Sequence, residues 1–319
     1  MVSSVLIVGA GMSGITAARL LDEAGVAVTL FDKSRAVGGR MATRRLDGGA
    51  GDHGAQHVSA RSAEFAAEMA RMVEDGVATE WLRTPSRTHP ARGVEPRFAG
   101  VGGMRRIPEW MAKGLDVRTA TRVGRLEFGA GGVTAVDVEG EEVGRADAVL
   151  LTPPLPQTLE LLGDSGLDRP SDLEAVQYHA SLAVIAILDA PAGIPGGHVA
   201  PDDPIVGWVA DNEHKGASAR PSITVQSTPD FAAAHIDEDR DGWTQQLLEA
   251  ARPFHGGTPV AVHPHGWRFA EPVTTLGEGA RRIAAPAPVV LAGEVFSGAR
   301  VEGAYLSGRA AAELLLEQG

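Results

Sequence analysis

The apolar positions begin with a short continuous run, Val5-Leu6-Ile7-Val8, which closes on Gly9-Ala10-Gly11-Met12-Ser13-Gly14. Ile15, Ala18 and Leu21 then recur at helical spacing. Arg19, Asp22 and Glu23 take the opposite face, and Gly25 marks the stop. A second apolar run, residues 26–31, ends on Asp32. This pattern predicts strand, glycine turn, helix, strand, acid.

Further along, Ser62 reads as the cap of a helix with Phe65, Met69 and Val73 on one face and Gly76 at its end. The Pro/Arg-rich stretch 84–96 predicts a loop or an irregular edge strand. Val101-Gly102-Gly103-Met104 leads into a short helix, with Pro108 in its first turn and Gly114 at its end. From Val117 the period becomes two. Strands are predicted over 117–123, 125–128 and 133–138, with Gly129-Ala130-Gly131-Gly132 turning a hairpin. Residues 147–151 read as a buried strand stopped by Pro153-Pro154.

Strand candidates follow at 182–188, 205–209, 222–226 and 259–263. A helix over 239–251 turns Trp243, Leu247 and Ala251 inward and stops before Pro253. The last segment gives a buried strand at 289–292, then Gly293-Glu294. It ends in a helix from Val301 with Leu306, Ala310 and Leu314 on one side.

The fold class expected is α/β. A Rossmann-like domain, a doubly wound parallel sheet with an antiparallel β excursion, takes residues 1–60, 100–155 and 286–319. An α+β substrate domain on a mixed or antiparallel sheet takes 61–99 and 156–285. Aromatic residues Tyr178, Trp208, Trp243 and Trp267 fall in the second.

The N-terminal pattern carries a chemistry. Gly9 lets the chain leave the strand sharply, Gly11 lets a pyrophosphate approach the backbone, and Gly14 lets the helix pack close to the strand. Phosphate is favoured at the free N–H groups of a helix start. Asp32, 23 residues beyond Gly9, is placed to accept hydrogen bonds from ribose hydroxyls. A plain βαβ unit with a glycine turn is the alternative.

The loop over 33–51 holds Arg35, Arg40, Arg44 and Arg45. Arg40, framed by Gly38 and Gly39, has the geometry to grip a pyrophosphate bidentately; a solvated surface arginine is the alternative. In Asp52-His53-Gly54-Ala55-Gln56-His57, Gly54-Ala55 would let backbone approach a flat ring that Gln56 and His57 could hydrogen-bond. His53 and His57 stand four apart, but no third ligand candidate accompanies them, and no metal is expected. Glu294, at the carboxyl end of its strand, can accept from a sugar-like hydroxyl chain. The helix start near Glu302-Gly303 can offer N–H groups to a ring that gains negative charge.

Composition narrows the partners. The chain has 319 residues and a net charge of −12, which argues against nucleic acid. It has no cysteine, so disulfides, thiolate metal sites and cysteinyl cofactor attachment are excluded. Lysine occurs only as Lys33, Lys113 and Lys215. No secretory signal and no run of membrane-spanning length is visible, so a cytoplasmic protein without membrane contact is expected.

Together these pieces resemble the FAD-dependent amine oxidase-like flavoproteins, and within them the bacterial renalase-like branch. The motifs are the Val5–Gly14 stretch, Asp32-Lys33-Ser34-Arg35, Gly38-Gly39-Arg40-Met41 and Gly54-Ala55-Gln56. Leu151-Thr152-Pro153-Pro154, the 224–230 segment, Trp267-Arg268 and the run from Gly293-Glu294 through Ser307-Gly308 complete them. The resemblance implies non-covalent FAD. It assigns the adenosine ribose to Asp32, pyrophosphate to Ser13 and Arg40, and adenine to the Val123 backbone. Flavin-side contacts go to Gln56 and His57, the ribityl chain to Glu294, and the pyrimidine end to Glu302-Gly303. Gly9, Gly11, Met12, Gly14, Lys33, Gly39, Ala55 and Gly293 complete the cofactor set. His57 departs from the aromatic residue that often follows this glutamine in relatives.

Amine oxidases of this fold typically carry a lysine in the substrate domain; the matching region 178–188 has none, as in renalase-like proteins. That branch implies oxidation of the 2- and 6-dihydro isomers of NAD(P)H to NAD(P)+, with electrons passing to O2 to give H2O2. No catalytic side chain is required beyond the flavin, because a dihydropyridine releases hydride with push from its own nitrogen. Candidates for the substrate pocket are His179, Trp208, Gln226, Trp267 and Arg268. An amine oxidase or desaturase on the same fold, with an amine as substrate, is the second reading. A non-catalytic dinucleotide-binding or redox-sensing protein is the third. A nicotinamide dehydrogenase would leave Gly293-Glu294 unexplained.

Overall fold

A computed structural model describes residues 2–85, 93–129 and 131–317. The chain forms two compact units. The first comprises Met1–Gly39, Pro108–Gln177 and Pro272–Gly319; the second comprises Arg40–Ile107 and Tyr178–Glu271. The chain passes between them four times, at joins that differ from the expected boundaries. Residues 156–177, with the helix Leu155–Asp164, cluster with the first unit.

The first unit is built on a six-stranded sheet. In spatial order its strands are Arg281–Ile283, Val289–Leu291, Ala148–Leu151, Ser4–Val8, Ala27–Phe31 and Asp116–Arg118. Every pairing is parallel except that of Arg281–Ile283, which runs antiparallel at the edge. The central strands are apolar on both faces, as a parallel sheet covered on both sides requires. The helices Met12–Glu23 and Val301–Leu316 pack on each other. The antiparallel excursion is a three-stranded sheet, Val123–Gly129, Gly132–Asp137 and Glu142–Ala146.

The second unit is built on a five-stranded antiparallel sheet. Its order is His198–Val199, Val206–Asp211, Ser222–Ser227, Tyr178–Leu188 and Pro259–Pro272. Trp243 and Leu247 of the helix Arg240–Ala251, with Phe231 and Ala232 of Pro229–His235, join Val184, Ala186, Ile223 and Val225 in its core. A small hairpin, Thr43–Leu46 with Gly49–Asp52, packs against the same sheet. Gly49 and Gly51 allow this, because a Cβ at either would crowd Ile187 or Ile185.

Several local expectations change. The stretch 33–51 is not all loop, since Asp47 and Gly48 adopt positive φ (44° and 72°) and turn that hairpin. The strand expected over 117–123 stops at Arg118. Ala120 turns with φ 54°, and the Ala120 and Thr121 N–H groups donate to the carbonyls of Ser34 and Asp32. In the helix Ala63–Glu74, capped by Ser62, the inward residues are Phe65, Met69 and Met72; Val73 is exposed. The strand expected over 259–263 runs to Pro272. The strand Glu142–Ala146 was not anticipated. Of the 84–96 stretch, Thr84 and Pro85 end one strand and residues 94–96 open its partner. Residues 86–92 lie outside the described residues. Ala130 of the expected glycine turn does too, while Gly129 pairs with Gly132 around it.

Candidate functional site

In the first unit the glycine turn folds as a cradle. Gly9 has φ 103°, and Gly14 sits so close to the Gly9 carbonyl oxygen that a Cβ would overlap it. Gly11 caps the Met12–Glu23 helix in extended geometry, and a Cβ built there meets open space. That is the space a pyrophosphate occupies at a helix start. Ser13 Oγ is buried with no hydrogen-bond partner among the described residues, so a polar ligand would satisfy it. Met12 is buried.

Asp32 closes the cradle at the end of its strand. One carboxylate oxygen accepts from Ala10 N at 2.8 Å and the other from Ser34 N at 2.7 Å. These bonds fix the carboxylate and leave each oxygen a further lone pair for a ribose hydroxyl. Gly38 N donates to the Ala10 carbonyl at 2.8 Å, and a Cβ on Gly39 would lie 3.7 Å from Gly11 Cα. The Gly38-Gly39 loop is therefore folded onto the glycine turn. Val123 starts its strand just after the loop tied to Asp32. Lys33 points elsewhere, donating to Gln157 Oε1 at 3.1 Å.

Gly293 N donates to Ser307 Oγ at 2.9 Å, and Ser307 Oγ donates to the Gly279 carbonyl at 2.7 Å. Glu294 is buried beside them. Glu302 and Gly303 fall in the first turn of Val301–Leu316, where Gly303 abuts the Gly298 carbonyl. The donors, the open space at Gly11 and the orphan Ser13 hydroxyl fit a dinucleotide with a pyrophosphate at its centre.

In the second unit the stretch 52–57 is fixed from several sides. Ala55 N donates to the Arg40 carbonyl at 2.8 Å, and Gly54 leaves no room for a Cβ against that same oxygen. Arg40 itself directs Nη1 to the carbonyls of Phe269 and Ala270, at 3.3 and 3.2 Å. Gln226 Nε2 donates to the Gly54 carbonyl at 2.7 Å, and Trp267 Nε1 to the His53 carbonyl at 2.8 Å. Two of the pocket candidates thus meet the backbone of this turn. Trp208 pairs beside Gln226 across the strands and stands 5.8 Å from the His57 ring. It also stacks on His198 at 4.8 Å.

His179 and Arg268 are not brought there. His179 is exposed near the start of Tyr178–Leu188. Arg268 follows Trp267 on one strand, so the two side chains leave opposite faces. Arg268 pairs with Asp237 and lines a cleft with Leu182, Ile236, Arg240 and Trp243.

A group of buried polar residues went unanticipated. Lys215 is fully buried, pairing with Asp52 at 2.9 Å and donating to Gln56 Oε1 at 2.9 Å. Its ammonium stands 5.2 Å from the centroid of the Trp81 ring. His53 stacks on His265 at 4.2 Å, with His263 at 6.4 Å. Burial, reinforced by these neighbouring imidazoles and by Arg44 and Arg105, pushes His53 down to about 3. Burial first, then the His263 charge, brings His265 to about 4. The signals were faint: Lys215 is one of three lysines, and Asp52 ends a glycine-rich strand too polar to read as core. Among the described residues no group of three His, Cys, Asp or Glu side chains is arranged to hold a metal, and no helix is long and apolar enough to cross a membrane.

Comparison with known proteins agrees with this geometry. The family described as flavin containing amine oxidoreductase matches residues 85–316, and an NAD(P)-binding Rossmann-like domain matches residues 7–74. A hydroxyneurosporene desaturase from Rubrivivax gelatinosus is 36% identical over 107 residues. That match spans 33% of this chain and only 20% of the desaturase. Among solved structures, a putative protoporphyrinogen oxidase from Exiguobacterium superposes with a TM-score of 0.73 at 14% identity, covering 99% of each chain. A redesigned putrescine oxidase gives 0.69 at 15% identity, again covering 99% of each chain. A fatty acid isomerase from P. acnes gives 0.70 at 13%, covering 99% of this chain and 98% of that one. At these identities the structures show a shared fold.

Proposed function

This chain belongs to the flavin-containing amine oxidoreductases, and its cofactor is FAD; from that premise we propose that it oxidises 2- and 6-dihydro isomers of NAD(P)H to NAD(P)+. FAD supplies the two-electron acceptor, and O2 takes the electrons onward as H2O2. Asp32, Ser13 and the Gly9–Gly14 turn would hold the adenosine and pyrophosphate, Glu294 and Gly303 the ribityl and pyrimidine side. The Gly54-Ala55 turn, with no side chain larger than a methyl, would offer a flat ring its backbone.

The observation that carries the substrate reading is the condition of the lysines. Oxidation of an amine on this fold is expected to use a lysine of the substrate domain. The strand Tyr178–Leu188 has none, and the second unit's one lysine, Lys215, is buried with its charge on Asp52. A dihydropyridine needs no such group, because no proton leaves carbon. His53 and His265, held neutral by burial, leave the turn without added positive charge at neutral pH.

Anaerobic mixing tests this. Isomerised NAD(P)H should bleach the flavin at least about tenfold faster than ordinary NAD(P)H, the margin expected when the hydride is held within reach of its acceptor in one isomer and not the other. Equal rates with both would overturn the reading.

A further inference from the structure

We propose that Lys215 is a positioning residue, which acts through the Gln56 side chain to hold the Gly54-Ala55 turn in the shape the flavin reaction needs. The proposal rests on the FAD reading and not on the choice of substrate.

The turn after Val206–Asp211 delivers this lysine. Asp211 Oδ1 accepts from Glu213 N and His214 N, each at 3.0 Å, and Lys215 N donates to the Asp211 carbonyl at 3.0 Å. The side chain enters the interior, where its relative exposure is 0%. Burying an ammonium costs several kcal/mol unless it is paired and hydrogen-bonded. A well-packed apolar pair would stabilise a core at least as well, so stability alone does not explain the choice.

The geometry gives a reason. Lys215 lies 2.9 Å from Asp52 Oδ2, but among the described residues no donor is aligned on that oxygen. The aligned hydrogen bond goes to Gln56 Oε1 at 2.9 Å. With its oxygen held there, the Gln56 amide has one orientation left. Its Nε2 donates to the Asp52 carbonyl at 2.5 Å and the Gly54 carbonyl at 3.0 Å. A flipped amide would set its NH2 against the ammonium and its oxygen against two carbonyls. Lys215 therefore selects the orientation in which Gln56 ties both ends of the 52–54 turn. Asp52 completes the frame. Its Oδ1 accepts from Thr43 Oγ1 at 2.5 Å and Met104 N at 2.9 Å, anchoring the base of the turn to two other segments. Gln56 thus braces the turn through two of its backbone carbonyls.

The test uses the full-length protein, its apo form titrated with FAD, and no substrate. Lys215→Met should lower the melting temperature, weaken FAD about tenfold or more and shift the visible flavin bands. The Lys215→Met/Asp52→Asn double variant removes both charges while keeping an acceptor for Thr43 and Met104. It should regain most of the lost stability but not the FAD affinity or the spectrum. If it restores all three, Lys215 merely neutralises Asp52 and the proposal is overturned. Gln56→Leu leaves the ion pair in place and should reproduce the altered spectrum and affinity; unchanged values in that variant also overturn it, whether or not Lys215→Met folds. Equal bleaching by NAD(P)H and its isomers would sink the substrate reading while leaving these flavin readouts as they are.

Discussion

Single residues of the second unit tie stability to pH. His53 has an ordinary value of 6.5 that burial and its neighbours lower to about 3. Folding therefore favours the neutral ring. Above the ordinary value both states are neutral and nothing is lost. As pH falls below it, the unfolded chain takes up the proton first, and stability declines until the folded ring protonates near 3. The slope from His53 is at most about 1.4 kcal/mol per pH unit, and His265, lowered to about 4, adds to it over the upper part of that window. Thermal unfolding near neutral pH and again about two units lower should show this loss. His53→Asn, which keeps the carbonyl that Trp267 binds, should lessen the slope; an unchanged slope would assign the acid sensitivity to other groups. None of this was legible in the sequence. In the sequence His53 stands out only as a possible ligand four residues from His57, because its partners His263 and His265 come from a strand about 210 residues away. The role of Lys215 is hidden in the sequence for the same reason: burial of a charge is decided by partners that only the fold assembles.

At the scale of elements, hydrophobic pattern located most helices and strands and gave the inward faces of Met12–Glu23 and Arg240–Ala251, but it fails on the face of one helix. The C-terminal helix Val301–Leu316 shows why. Leu306, Ala310 and Leu314 make the more apolar stripe, yet the buried residues are Gly303, Tyr305, Ser307, Gly308, Ala311, Ala312 and Leu315. The inner face is the one with small residues, because this helix packs closely on Met12–Glu23 beside the glycine turn. A Cβ on Gly308 would overlap the Ser13 carbonyl oxygen and press on Thr16. A scale of hydrophobicity does not register that kind of contact. Gly308→Ala should thus cost about 1–3 kcal/mol by overpacking. Leu306→Ala, at a half-buried position, should cost less. Chemical denaturation of both variants decides the order, and a larger loss for Leu306→Ala would return the inner face to the apolar stripe. The hairpin Thr43–Leu46 with Gly49–Asp52 was hidden likewise. Its strands carry arginine and glycine in place of alternating apolar residues, and only Asp47-Gly48 signalled a turn.

At the scale of the whole molecule, stability and cofactor are linked. FAD binds the folded chain, so it adds RT ln(1 + [L]/Kd) to stability, about 2.7 kcal/mol at a hundredfold excess over Kd. The dinucleotide turn was readable from sequence because each glycine answers a backbone need: a positive φ at Gly9, a close approach at Gly14, an open face at Gly11. Those three needs predict three different failures. An alanine at Gly9 or Gly14 would disturb the apo fold, through φ or through overlap with the Gly9 carbonyl. An alanine at Gly11 meets nothing within 4 Å among the described residues, and its backbone is already extended at φ −84° and ψ −175°. Gly11→Ala should therefore leave the apo protein's unfolding within about 0.5 kcal/mol of wild type, as for a substitution that touches no special feature. Its methyl would occupy the space beside the helix N-terminus where pyrophosphate belongs. FAD affinity should fall about tenfold or more, and the FAD-induced gain in stability, read from the rise in melting temperature, should shrink by roughly 1.4 kcal/mol for each tenfold. Melting curves of apo and FAD-saturated protein, wild type against Gly11→Ala, measure both quantities together. Equal FAD-induced shifts would mean that the open face at Gly11 is not where the phosphates lie.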